Sequence, residues 1–289
     1  MENYTRFRAY QLGEKGASFS LSVDNDFTLI EARLNSVNGK NVIDEMRKVG
    51  AQRISLLHIT SWDEDHCKPD ELKFILEQLK PQRIHYPGYM PDTDCGKSSR
   101  SLILNYLKQN RLDGTCVTPR YVNSLEPGES AKFSTIIYNP TKEYAKHNDM
   151  SIAALFRKGR FTVLSLGDCE SPEIAKSIMG CAMASKETDV MLMAHHGADN
   201  GFTTEDFIKA ISPSVAICAS DYDNQYDHPR PEIRELLYEN NVKLYTTKTG
   251  DVLIECGADN NVHVTNFKGN SSEISSTFDF RPKFTVNNP

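Results

Sequence analysis

Apolar residues recur along this chain in two rhythms. Between residues 6 and 33 they alternate with polar ones: Phe7 to Leu12, Ser18 to Val23, and Phe27 to Ile30. Gly13 and Gly16, then Asp24-Asn25-Asp26, separate these runs, and the pattern predicts antiparallel strands. From Val42 the period lengthens: Val42, Ile43, Met46 and Val49 share a helical face, with Gly50 as the stop. Ile54, Leu56, Leu57 and Ile59 form the short apolar run expected of a strand buried on both faces. Helices over 70–79 and 98–108 flank a short strand at 83–85, and 122–143 reads as strand and turn around Pro127-Gly128. A hairpin is predicted at 150–156 and 160–166. It leads into helix 172–179, strand 190–193, helix 204–211, strand 215–219 and helix 232–238. Strands at 243–246, 251–255 and 261–265 close a domain spanning 1–268, and the polar stretch 269–289 predicts an extended tail. Strand–helix alternation in both halves, with hairpins between, predicts an α/β fold of two mixed sheets covered by helices.

Composition narrows the function classes. The 289 residues are 39% apolar with a net charge of −6, so a broad electrostatic nucleic-acid footprint is not expected, although a local positive channel is compatible with it. Seven cysteines are scattered and never spaced Cys-x-x-Cys, which argues for reduced thiols and against a zinc knuckle. The first residues lack an apolar export core and no window reaches membrane-spanning length, so a soluble cytoplasmic protein is expected.

Candidate chemistry collects where predicted strands end. The Ile54 run empties into Ser61, Asp63, Asp65 and His66, the 160–166 strand into Gly167-Asp168, and the 190–193 strand into His195-His196-Gly197. A further strand leads to the loop carrying His228-Pro229. Taken singly, each is also what a solvated turn or capped loop looks like. Together they are the donor types of a metal site on loops at one sheet edge, since carboxylates and imidazoles suit Zn, Mn or Fe and an oxygen-rich set favours Mn or Mg. Trp62 is expected to pack beside its loop, and Glu31 and Glu170 read either as support behind the site or as surface, with surface favoured for Glu170.

Assembled in order, these residues resemble the metallo-β-lactamase superfamily, and within it the soluble β-lactamase-like domain of ComEC-type competence proteins. Gln11-Leu-Gly-Glu-Lys-Gly-Ala-Ser18 is similar to that family's opening Asp-Val-Gly-Gln-Gly-Asp-Ala turn, and Leu29-Ile-Glu-Ala32 to its Leu-Ile-Asp-Ala. Thr60-Ser-Trp-Asp-Glu-Asp-His66 stands at the His-x-His-x-Asp-His motif. His147-Asn-Asp-Met-Ser151, Leu166-Gly-Asp-Cys-Glu170, Ala194-His-His-Gly-Ala198 and Asp223-Asn-Gln-Tyr-Asp-His-Pro229 match further segments. The resemblance implies a four-layer αββα sandwich. It implies metal ligands at Asp63, Asp65, His66, Asp168, His196 and His228, and catalytic roles for Asp63, Asp65, His195 and His196.

Four departures shape the expectation. Ser61 and Asp63 replace the motif's histidines, Glu31 replaces the aspartate usually placed behind the site, and Lys15 sits in the opening turn. One firm divalent site is therefore expected, Mn or Mg over Zn, with a second weak or absent. The implied activity is metal-dependent hydrolysis of phosphodiesters in DNA or nucleotides, with a protein partner or homo-oligomer compatible with it. The alternative is a degenerate domain retained for binding or regulation.

Overall fold

The alternating N-terminal segment folds as a meander of β1 (Thr5–Ala9), β2 (Phe19–Val23) and β3 (Asp26–Ile30), antiparallel throughout. After α1 (Gly39–Lys48) the chain returns as β4 (Leu56–His58), now parallel to β3. α2 (Pro69–Phe74) runs on through a π-helical turn, Ile75–Leu79, into β5 (Ile84–Pro87). α3 (Asp94–Asn110) leads to β6 (Gly114–Val117), and β4, β5 and β6 pair in parallel. The structure, a computed structural model, describes residues 4–125 and 128–283. Pro127, expected to punctuate a turn, lies outside them.

The second sheet begins after α4 (Pro119–Ser124), with β7 (Thr135–Asn139), β8 (Ala153–Phe156) and β9 (Val163–Ser165) antiparallel to one another. It continues through α5 (Pro172–Met179), α6 (Ala182–Glu187), β10 (Val190–Leu192), α7 (Glu205–Ile211), β11 (Val215–Cys218), α8 (Pro231–Glu239) and β12 (Lys243–Thr246). Here β9 to β12 are parallel. The chain then crosses back, adding β13 (Val252–Cys256), β14 (Val262–Phe267) and β15 (Ile274–Phe280) beside β1. The result is a nine-stranded and a six-stranded mixed sheet.

Alternation along each strand sorts its side chains between two cores. Ile30 and Leu56 join Val163, Val190 and Ile217 between the sheets, whereas Leu29 and Leu57 face Val42, Leu72 and Ile103 of the helices outside. On the other side Leu164, Met191 and Ala216 meet Ile174, Phe207 and Leu237. Helix, sheet, sheet, helix is the four-layer order expected. Leu57 is fully buried, and Leu57→Ala would cost ~2–5 kcal/mol.

Three elements differ from the sequence reading. Val122 belongs to α4, not a strand: Thr118 Oγ1 accepts from Tyr121 N–H and Pro119 opens the turn, but a helix this short buries only Val122 and shows no period. α6 likewise escapes notice for its brevity, and β6 for its lack of alternation. Within the stretch after residue 268, Ile274–Phe280 is hydrogen-bonded to β14, with Phe278 and Phe280 packed against the core between the sheets.

Candidate metal centre

Both sheets present the C-terminal ends of their parallel strands at one edge. Glu31 follows β3, Asp65 and His66 follow β4, Asp168 follows β9, and His195 and His196 follow β10. Local backbone geometry turns these side chains inward. Glu31 (φ 67), His195 (φ 43) and His196 (φ 54) all adopt the left-handed region, uncommon for such residues and a form of strain typical of functional sites. Gly197 (φ 79) completes the turn, because a Cβ there would stand 2.7 Å from Pro229 Cβ. His195 N–H donates to Gly167 O (2.9 Å) and Arg230 N–H to Gly197 O (3.0 Å), tying three ligand loops together.

Asp65, His66 and His196 offer donor atoms that all lie within 4.8 Å of one another. Asp168 touches two of them: its Oδ2 is 2.9 Å from His66 Nε2, and its Oδ1 is 3.7 Å from His196 Nε2. His66 Nε2, Asp168 Oδ1 and His196 Nε2 are buried and make no hydrogen bond of proper geometry among the described residues. Buried polar atoms left unpaired are costly, so three of them aimed at one point fit a divalent cation.

The far side of each ring is anchored. His196 Nδ1 is 2.8 Å from Ala219 O, so its N–H donates there and Nε2 keeps its lone pair for the centre. His66 Nδ1 is 3.1 Å from Glu31 Oε1, whose carboxylate also accepts from Thr60 N–H (3.1 Å) and Thr60 O–H (2.5 Å). A carboxylate behind a ligating histidine fixes its orientation and raises its basicity.

The charges of the cluster shape one another. Burial would raise Asp65, but the neighbouring His196 and His66 rings hold it far below the carboxylate range. Asp168 is held at about 2, the pull of His66 outweighing burial. Burial opposes protonation of His66 and His196, yet Asp168 and Glu31 drive His66 well up, and Asp65 with Asp168 raises His196. An ion entering the cluster therefore displaces protons.

Asp63 and His228 stand outside that three-residue group. Asp63 lines the adjoining cleft, where its carboxylate accepts from Ser61 Oγ (3.3 Å) and is raised by burial and by Asp168. His228 lies beside His195, ring centroids 5.9 Å apart, and stacks on Tyr226 at 5.6 Å. Burial and the neighbouring His196 and His195 push it down to about 4. Ser61 is buried, its hydroxyl engaged with Tyr89 OH (3.2 Å). Trp62 packs beside the loop as expected, its Nε1–H donating to Tyr89 O (3.1 Å).

Glu170 corrects the sequence reading. Its Oε1 lies 2.9 Å from His195 Nδ1 and accepts from Asn148 Nδ2 (2.8 Å), while Lys146 Nζ donates to Oε2 (2.8 Å). It is thus the carboxylate that stands behind His195, at ion-pair distance but without hydrogen-bond geometry. The adjoining cleft, about 590 Å³, is lined by Lys15, Arg33, Lys68, Asp63, Asp65, Asp168 and His195 among others.

No protein-family model and no curated protein matches this chain. Solved structures do. It is similar to Igni18, a metallo hydrolase from the hyperthermophilic archaeon Ignicoccus hospitalis, at 14% identity over 86% of this chain and 98% of that one, with a TM-score of 0.50. It is also similar to the metallo-β-lactamase fold protein YhfI from Bacillus subtilis, at 12% identity over 87% and 100%, with a TM-score of 0.51. The chain has the metallo-β-lactamase-like sandwich fold. Among the described residues no helix is long and apolar enough to cross a membrane.

Proposed function

We propose that this protein is a metal-dependent hydrolase that cleaves phosphodiester bonds in DNA or nucleotides, the substrate class that the resemblance of its sequence motifs to competence-protein domains would imply. The observation that carries the reading is the convergence of Asp65, His66, Asp168 and His196, with three of their buried donor atoms unpaired. When bound, a divalent cation supplies Lewis acidity and a water of lowered pKa. The carboxylate share of the donor set favours Mn or Mg.

The chain's own groups supply the rest. Asp63, raised by burial and set in the cleft wall, is placed to take a proton from water. His195, half-buried and backed by Glu170, is placed to hand a proton to a leaving oxygen. Lys15 and Lys68 stand among the cleft's carboxylates, and with a divalent ion bound they would offset that negative charge toward a polyanionic substrate.

The test is cleavage of labelled single- and double-stranded DNA and of a chromogenic phosphodiester, with Mn, Mg or Zn supplied in turn. Metal-dependent cleavage that disappears in Asp168→Ala is expected. Wild type matching Asp168→Ala under every metal would overturn the reading.

One observation favours a second reading, a non-catalytic binding domain: Ser61 stands where the resembled motif has a histidine, and its hydroxyl is engaged by Tyr89 and Asp63. Metal retained by wild type without any turnover is the result that reading requires.

A further inference from the structure

Lys15 is the cation already present at the centre. Its Nζ lies 2.9 Å from Asp65 Oδ2, the same oxygen that is 3.7 Å from His196 Nε2. Its ammonium also sits 5.9 Å from the Tyr226 ring centroid, so an aromatic face and a carboxylate hold it from two directions.

The loop beneath Lys15 is built to keep it there. Gly16 (φ 137) brings the backbone against the ligand loop: a Cβ at that position would lie 2.3 Å from Arg33 Nη1 and 2.7 Å from Asp65 O. Ala17 N–H donates to Asp65 O (2.9 Å), and Arg33 Nη1 donates to Lys15 O (2.7 Å). Arg33 is itself buried and fixed by Glu71 (2.9 Å) and Glu14 (2.7 Å). The backbone of Lys15 is therefore clamped to the loop that carries Asp65, while its side chain stays 63% exposed in the cleft.

On this same side the Ser61 hydroxyl is taken up by Tyr89 and Asp63, which leaves Asp63 and Asp65 as the carboxylates a further ion would have to share with Lys15. The cleft's carboxylates, Glu14, Asp63, Glu64, Asp65 and Asp168, exceed its cations Lys15, Arg33 and Lys68 by two charges, which one divalent ion offsets. A second divalent ion beside Lys15 would overshoot that balance and meet direct repulsion on the Asp65 oxygen.

We propose that Lys15 serves as the second cation of the centre. The site takes a single divalent ion, and the ammonium holds the place on Asp65 where another ion would bind. Its remaining N–H groups face the cleft, where they can donate to a phosphate oxygen as a point charge. This inference rests on the metal-dependent reading above.

The experiment is a Mn(II) titration of the full chain, read by calorimetric stoichiometry and by the electron paramagnetic resonance of the bound ion. Wild type is expected to bind one Mn with the spectrum of an isolated ion. Lys15→Met and Lys15→Gln are expected to take a second Mn at least ~10-fold more tightly than wild type does, with spin coupling between the two ions. Lys15→Arg, which keeps the charge, is expected to behave as wild type. Two tight ions in wild type, or one ion in both uncharged variants, would overturn the role of Lys15 while leaving the hydrolase reading intact. No Mn bound by any of the proteins would overturn both.

Discussion

His66 Nδ1 stands 3.1 Å from the Glu31 carboxylate, so the imidazole is held from behind while its Nε2 points at Asp168. Glu31 can do this because its left-handed backbone swings the side chain under the β4 loop, where Thr60 donates to both carboxylate oxygens. Glu31→Gln keeps the shape and removes the charge. Metal affinity should fall ~10–100-fold, the usual cost of losing such a partner, measured by competition with a chromogenic chelator.

Glu170 stands behind His195 at a similar distance, on the cleft side. Glu170→Gln should leave the bound metal in place and lower kcat by ~10-fold or more, with little change in KM. Its pH–rate profile should differ from that of wild type on the limb set by the leaving-group acid. A structural role alone would not move that limb.

Metal should stabilise the fold by mass action. At an ion concentration ~100 times Kd the gain is ~2.7 kcal/mol, or several degrees in Tm for a chain of this size. Thermal denaturation with Mn, and again with a chelator, measures it. Asp168→Ala should abolish the difference between the two curves.

Far from the centre, Asp189 sits fully buried at the start of β10, where it accepts from Thr162 N–H (2.9 Å) and from Lys283 N–H (2.8 Å). Burial raises it from 3.8 to about 6, against the pull of those N–H groups. A raised carboxylate contributes stability that is full below about 4 and is lost as pH rises through about 6, on the order of 3 kcal/mol at most. Asp189→Asn should remove that slope between pH 4 and 7 in denaturant titrations. The loss of the Thr162 bond will offset the curve without changing the slope, which is the readout.

How much of this was legible in the chain depends on range. The clustering of Asp65 with His66, and the tandem His195-His196, are visible because a polar burst follows an apolar run. The parallel halves of the two sheets bring those strand ends to one edge. The pairing of Glu170 with His195 is not visible, since it depends on a left-handed turn that no local pattern announces. The grip of Lys15 on Asp65 is hidden for a similar reason: it requires the Gly16 backbone to lie against a loop some fifty residues away. His228, reached by order of motif alone, stands beside His195 and outside the three-residue group.

Asp65 and His66 ride on the nine-stranded layer, whereas Asp168 and His196 ride on the six-stranded one. An ion gripped among them is a rivet through the seam of the sandwich. Slippage of one layer by a single residue, ~3.3 Å, would carry its donors out of bonding range. Chelation should accordingly loosen that seam before it frays either outer edge, with amide exchange quickening first in β4, β9 and β10.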